Sequence, residues 1–421
     1  MAKTTAESFI EDLTPAEKGR AALVDAILPT LRERALAADR DGVFNQDNLA
    51  LFRAHNLTGL VIPKEFGGLG GGLRDLAAAT FALGTACPST ALCFFFHCST
   101  SSRGLLALEA IERGLFTPTE VPIVRDFAHK LLHRMGTEGK WFGNFASEST
   151  KSEKALITIT TRARKVAGGY ELTGVKSFGC STGVADYYLV TAQLEDYPDA
   201  RGLTTFTVQP QAAGVGERSK WDAIGMRATN THGITLDNVF VADAEALVIP
   251  AAFTRMMQVS RGSFVGNQIA GTAVYLGVAH GVYHNTVDTL LSRKYADTER
   301  SIANSPMHRE LIGRMATNLE TATLWLRRQL QLESADAPVL DKDEVIKNWR
   351  LCKGAVSDAA FAVGVDALKC CGTSGTGNTG FIARALRDLA MGLVQAFPSE
   401  RGRLEAAEMI ITKKQSVLFG S

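Results

Sequence analysis

An α+β fold, with a β block set between two helical blocks, follows from two changes of texture along the 421 residues. Up to about Met135 apolar residues recur three and four apart, the period of amphipathic helices. Near Lys140 short β-branched and aromatic runs separated by turn residues take over, and from Ala251 the helical period returns and stays. Length agrees: at roughly 150 residues per domain, two to three domains are expected. We therefore expect a helical domain over 1–138, a β domain over 139–250 and a helical domain over 251–421.

The first block carries its helices in "AEKGRAALVDAILPTLRERALAADRD", "NQDNLALFRAHNL" and "RDLAAATFALGTA". Between the last two, "LVIPKEFGGLGGGL" is a glycine-rich loop without the GKS or GKT ending that puts Lys and a hydroxyl on a nucleotide phosphate. The β block contains "ALITITTRARKV", "GYELTGVKSFG", "DYYLVTAQL", "LTTFTVQP" and "HGITLDNVFV", which read as an antiparallel barrel or sandwich. In the third block, "RGSFVGNQIAGTAVYLGVAHGVYHNTVDTLLSRK" places Gly and Ala where neighbours meet, so close helix packing is expected. Two more long helices follow from Pro306 and from Asp343, and a last one follows Pro398.

Composition excludes several classes of function. The net charge of +1 supplies no global field for nucleic acid or an anionic membrane. The N-terminus mixes charges of both signs and lacks a signal-peptide apolar run, and the apolar stretch 264–283 is interrupted by Asn267, Gln268 and His280. A cytoplasmic protein without a membrane span is the expectation. Seven cysteines without CxxC spacing argue against a disulfide framework or zinc ribbon and read as small buried hydrophobes.

The residues alone give few chemical signals. His129 with His133, and His280 with His284, have the i,i+4 spacing that can place two imidazoles on one metal, yet neither pair has the HExxH glutamate or a third ligand. No G-x-S-x-G elbow occurs in a strand-to-helix setting. The glycine-rich "CCGTSGTGNTGFIARALRD" could bring backbone amides to a phosphate, but it follows a helix where the dinucleotide fingerprint demands a strand. From pattern alone, the chain is a helical protein with a β insert and an unidentified anionic ligand.

Four segments in order say more: "LVIPKEFGGLG" (60–70), "GYELTGVKSFGCSTGVADYYLV" (169–190), "WDAIGMRATNTHGITLDNVFV" (221–241) and "CGTSGTGNTGFIARALRD" (371–388). Together they make the whole chain resemble the acyl-CoA dehydrogenase superfamily of flavoproteins. The resemblance implies an N-terminal helical domain, a middle antiparallel β domain and a C-terminal four-helix bundle, with FAD between the last two. It also implies a homotetramer or homodimer whose neighbouring subunit touches the adenosine end. In "FASES", Phe145 and Ser147 match the strand whose backbone and hydroxyl contact the isoalloxazine. Phe178 falls where an aromatic residue covers the flavin, with plain core packing as its other reading; Cys180 falls where Thr or Ser bonds near N5. Arg293 matches an arginine on the flavin pyrophosphate, and Lys369, Gly372 and Gly375 fit the loop around the adenosine diphosphate, with Thr373 in place of its second glycine.

The resemblance also predicts a catalytic glutamate, and the two positions that could carry it hold Ala396 and Ser260. Removing an α-proton from a thioester needs a base with a suitably raised pKa. Glu400, four residues past Ala396, is the candidate, and is equally readable as a first-turn residue favouring the helix dipole. Three readings stay open. The first is a dehydrogenase of an acyl thioester, attached to CoA or a carrier protein, feeding an electron-transfer flavoprotein. The second is a flavin monooxygenase resembling the amino-sugar nitrososynthases and dibenzothiophene monooxygenases. Such an enzyme uses reduced FMN or FAD from a flavin reductase, forms a C4a-hydroperoxyflavin and needs no glutamate. His97 sits where that branch often has a substrate-side histidine, and on its apolar stretch it also reads as a core residue. The third is a silent subunit of a heteromeric dehydrogenase.

Overall fold

The computed structural model describes residues 3–150, 158–261 and 268–419. Six helices form the first block: α1 (Pro15–Asp41), α2 (Asp47–Ala54), α3 (Leu73–Ala86), α4 (Pro88–Thr100), α5 (Ser102–Glu112) and α6 (Val121–Gly136). Local chemistry sets the ends of α1. Thr14 Oγ1 accepts from the Glu17 N–H at 3.3 Å, Glu17 Oε2 accepts from the Thr14 N–H at 2.7 Å, and Pro15 occupies the first turn. Gly42, at φ 65°, closes the helix in the left-handed region.

Among the described residues eight strands follow: β1 (Phe142–Phe145), β2 (Arg162–Val166), β3 (Gly169–Gly179), β4 (Tyr187–Leu194), β5 (Leu203–Val208), β6 (Val215–Ser219), β7 (His232–Ala242) and β8 (Ala246–Leu247). They form one sheet in the order β6-β7-β3-β2-β4-β5-β8, with β1 beside β4. The expected antiparallel block is corrected to a mixed sheet, because β1 and β2 both run parallel to β4. Parallel partners need a long crossover. The stretch between β1 and β4 supplies it, returning through the β2–β3 hairpin. Part of "ALITITTRARKV" lies outside the described residues; β2 begins only at Arg162.

The last block comprises α7 (Ala252–Val259), α8 (Gln268–Ser292), α9 (Pro306–Ser334), α10 (Lys342–Cys371), α11 (Phe381–Val394) and α12 (Ser399–Phe419). Residues 262–267, near the start of the Gly- and Ala-rich segment that begins "RGSFVGNQIAG", lie outside the described residues. From Gln268 on, its packing is as tight as its composition suggests: a Cβ on Gly277 would stand 2.1 Å from the Phe81 carbonyl oxygen, and one on Gly84 would stand 2.4 Å from that of Val274. Helices α3 and α8 therefore touch backbone to backbone. Short α7 packs on α5 and shares a second core with α6, β1 and β8 through Phe127, Leu131, Phe142, Leu247 and Met256.

No helix among the described residues is long and apolar enough to cross a membrane.

Candidate functional site

Strand β1 delivers the segment from Asn144 to Glu148 to the end of the sheet, and a buried ion pair fixes its exit. Lys176 Nζ on β3 lies 2.6 Å from Glu148 Oε1 and also donates to the Thr191 carbonyl on β4 at 2.5 Å. Burial alone would raise the Glu148 pKa, but the Lys176 charge and the hydrogen bonds from Lys176, Thr160 and Thr161 outweigh it and hold the carboxyl at about 2. Next to this anchor, Ser147 is exposed and its carbonyl accepts from the Ser177 N–H at 2.9 Å.

The four sequence-named residues of this end separate into an open and an interior set. Phe178 is 50% exposed and meets Trp221 edge to face, with ring centroids 5.6 Å apart. The two rings stand at 78° to each other, so it is the open ring of Phe178, braced by the Trp221 edge contact, that a planar ligand can cover. Phe145 is buried, and its ring lies where a Cβ on Gly179 would come within 2.3 Å. Cys180 is buried with its thiol 3.1 Å from Thr231 Oγ1, which is itself 2.6 Å from Thr229 Oγ1. Phe145 and Cys180 thus support the site from beneath, whereas Ser147 and Phe178 present themselves at its surface.

Several buried polar atoms around this junction have no protein partner: Asn144 Oδ1 on β1, Tyr275 Oη on α8, Arg384 Nε and Arg387 Nη1 on α11, and Gln395 Oε1 just after it. Burial, then the nearby Cys180 and Asp388, push the Tyr275 phenol well above its ordinary value, so it is a neutral O–H. Unpaired groups of this kind cost stability unless a ligand or water meets them.

The residues expected around a diphosphate lie around the C-terminal end of α10. Gly372, at φ 60°, ends the helix. Gly375 is buried because a Cβ there would meet that of Cys371 at 2.8 Å. Lys369 is exposed and paired with Asp366 at 3.0 Å. Burial raises the Cys371 thiol pKa and the neighbouring Arg293 offsets part of that rise, which places exposed Arg293 beside the same turn.

Two catalytic candidates need correction. Glu400 is 76% exposed in the first turn of α12 and pairs with Arg403 at 3.2 Å; first its own backbone N–H, then Arg403, hold its carboxyl below the usual range. Ala396, at φ 64°, turns the chain into α12, so the carboxylate points to solvent instead of into the fold. His97 is wholly buried, its ring stacked on Trp141 with centroids 4.4 Å apart. Nε2–H donates to the Thr58 carbonyl at 2.9 Å and Nδ1 accepts from the Phe142 N–H at 3.0 Å. Both nitrogens are committed, and desolvation lowers the imidazole pKa to about 4. His97 is a structural residue.

Two residues that the sequence reading did not name take a more telling place. A cavity of about 210 Å³ opens between α3, α4, α5, α7 and the end of α9; Leu76, Ser99, Leu106, Val259, Ser260 and Glu333 are among its walls. Glu333 is only 8% exposed, and Oε1 accepts from Gln329 Nε2 at 2.7 Å. Burial pushes its carboxyl up to about 7 against the lowering effect of that hydrogen bond. Asn144 links the cavity to β1, since its Nδ2 donates to Ser99 Oγ at 3.3 Å.

Models of the acyl-CoA dehydrogenase N-terminal, middle and C-terminal domains match residues 20–110, 144–239 and 269–397. The L-evernosamine nitrososynthase of a Micromonospora species is 30% identical over 63% of this chain and 60% of its own length, so the match spans less than two thirds of that relative. The mitochondrial isovaleryl-CoA dehydrogenase of Solanum tuberosum is 24% identical over 87% of this chain and 83% of its own. The solved structure of KijD3 in complex with FMN and dTDP-3-amino-2,3,6-trideoxy-4-keto-3-methyl-D-glucose superposes with a TM-score of 0.79 at 23% identity, over 99% of this chain and 97% of that one, a likeness of fold. With three domain models of one family matched in order on the helical, β and helical blocks, the chain belongs to the acyl-CoA dehydrogenase superfamily.

Proposed function

We propose that the protein is a flavin-dependent oxidoreductase of the oxygen-transferring kind, working with a separate flavin reductase and assembling as a homo-oligomer. The residues present fit a flavin. Phe178, held edge to face against Trp221, would cover a planar ring, exposed Ser147 would meet its edge, and partnerless Asn144 Oδ1 and Tyr275 Oη offer hydrogen bonds that nothing in the chain takes up. Arg293, Gly372 and Gly375 would take the diphosphate end if the flavin is FAD. A bound flavin supplies the redox chemistry; the chain orients it, excludes water and positions the substrate.

The observation that favours oxygen transfer is the absence of a glutamate from both expected positions. Ala396 and Ser260 occupy them, and Glu400 lies in solvent with Arg403. The test is anaerobic addition of butyryl-CoA to the flavin-loaded protein: we expect the flavin absorbance near its long-wavelength maximum to stay unchanged. Oxygen consumption with substrate should then require an added NADH-driven flavin reductase. Bleaching by the thioester would sink this reading.

One observation favours the dehydrogenase instead. Glu333 is a buried carboxyl, with its pKa at about 7, on the wall of the cavity that also holds Ser260. Thioester bleaching that disappears in Glu333→Gln would establish it as the displaced base.

A further inference from the structure

The cavity beside Asn144 is rich in hydrogen-bond acceptors. Four serines line it, and in three of them the hydroxyl hydrogen is already used within its own chain segment: Ser99 donates to the Phe96 carbonyl at 2.8 Å, Ser101 to that of Cys98 at 2.7 Å and Ser102 to that of Ser99 at 2.6 Å. What these side chains turn to a ligand is lone pairs. The guanidinium of Arg261, also on the wall, is spent on the Ala335 carbonyl and, at 3.0 Å, on that of Asp336. Its hydrogen bonds close the end of α9.

Glu333 completes the acceptor set. Its carboxyl has one hydrogen bond, from Gln329, whose amide also donates to the Val345 carbonyl at 3.1 Å. Among the described residues no Lys, Arg or His pairs with it. A buried carboxylate is stable only against a cation or several donors. Glu109, half-buried and paired with Arg113 at 3.4 Å, and Cys98 also line the cavity, and most of the other wall residues are aliphatic. Its volume of about 210 Å³ lies below the roughly 300–1,000 Å³ of pockets that take drug-sized ligands.

We propose that this cavity receives a small aliphatic amine, as a free substrate or as the end group of a larger one, with the Glu333 carboxylate as counter-ion to the ammonium and the surrounding aliphatic side chains against its carbons. The inference rests on the oxygen-transfer reading above and makes this cavity the substrate end of the flavin site; it adds the substrate class and a specificity-determining residue. Glu333 acts here by recognition. Its replacement should therefore alter amine affinity while leaving flavin binding intact.

The experiment compares n-butylammonium chloride with 1-butanol and sodium butyrate, of matched size, by isothermal titration calorimetry at pH 8 on the full chain. Butylammonium should bind at least about tenfold more tightly than butanol, as a charge-assisted contact implies, with butyrate weakest. In Glu333→Gln that preference should vanish. Because this variant could in principle perturb packing, Leu106→Trp, which fills the cavity and keeps the carboxylate, should abolish amine binding as well. Equal binding of amine and alcohol, or an amine affinity unchanged in Glu333→Gln, overturns the proposal. FMN titration in parallel separates the two readings: flavin binding without amine preference rejects this inference alone, and amine preference without flavin binding rejects the flavin reading alone. Thioester bleaching abolished by Glu333→Gln makes the residue a base and overturns the amine assignment.

Discussion

Glu333 leaves a thermodynamic signature of its own at the residue scale. Its pKa is near 4.5 in an unfolded chain and about 7 in the fold. Between those values the native state keeps a proton that the unfolded state has lost, so stability falls as pH rises through this window. The full loss is on the order of 3 kcal/mol if nothing else responds. Below about pH 4.5 both states are protonated and the penalty is absent. Glu333→Gln retains an oxygen for Gln329 and removes the titration. We expect the variant to match the native protein in urea midpoint at pH 4.5 and exceed it at pH 8, with the gap opening between; a pH-independent gap would assign Glu333 to packing alone. This residue was not legible beforehand, because "LWLRRQLQLESAD" reads as an ordinary amphipathic helix end. The cavity it lines is closed by α3 and α5, which lie hundreds of residues upstream, and by α7. His97 shows the converse. Its likeness of position suggested chemistry, and only the two backbone partners and the Trp141 stack reveal its structural role.

Helices and strands were readable where the signal is local. Thr14-Pro15 at the start of α1, Ser305-Pro306 at the start of α9 and Asp341 before α10 are capping sequences, and the structure uses each side chain as a cap. Sheet order was not readable, since alternation defines a strand and its faces but not its neighbours; β1 beside β4 is a long-range pairing. The small residues of α8 gave one tertiary expectation, close packing, and it can be tested by a matched pair. Gly277→Ala puts a Cβ 2.1 Å from the Phe81 carbonyl oxygen and must push α8 from α3, at about 1–3 kcal/mol or more. Gly313, inside α9, has nothing within 4 Å of an added Cβ. There Ala should stabilise by roughly 0.5–1 kcal/mol through helix propensity. Thermal melts should therefore shift in opposite directions, and a common sign would mean that helix propensity or tolerance of the joint had been misjudged.

Across the whole molecule, the three blocks meet at one knot beneath the proposed flavin site. Arg227, in the turn before β7, donates to the Asp39 carbonyl of α1 at 2.9 Å, and Arg387 on α11 pairs with the Asp39 carboxylate. Asp388, also on α11, accepts from the Met226 N–H at 2.6 Å. Burial raises the Asp388 pKa to about 6 in spite of that bond and of Arg384 and Arg387 nearby, so its positioning matters more than its charge. Gly225 lets the β block come this close: a Cβ there would lie 2.0 Å from the Arg387 carbonyl oxygen. Gly225→Ala must part α11 from the turn and lengthen the Asp388 contact. That substitution touches neither Ser147 nor Phe178, yet it shifts the bundle relative to the sheet that carries both. We expect a stability loss of about 1–3 kcal/mol in urea and, at a urea-free temperature where the variant is folded, FMN affinity reduced roughly tenfold or more by a misplacement of this size. A variant that loses stability but binds FMN as tightly as the native chain would show that the flavin is held by the sheet alone, with the bundle contributing no part of its site.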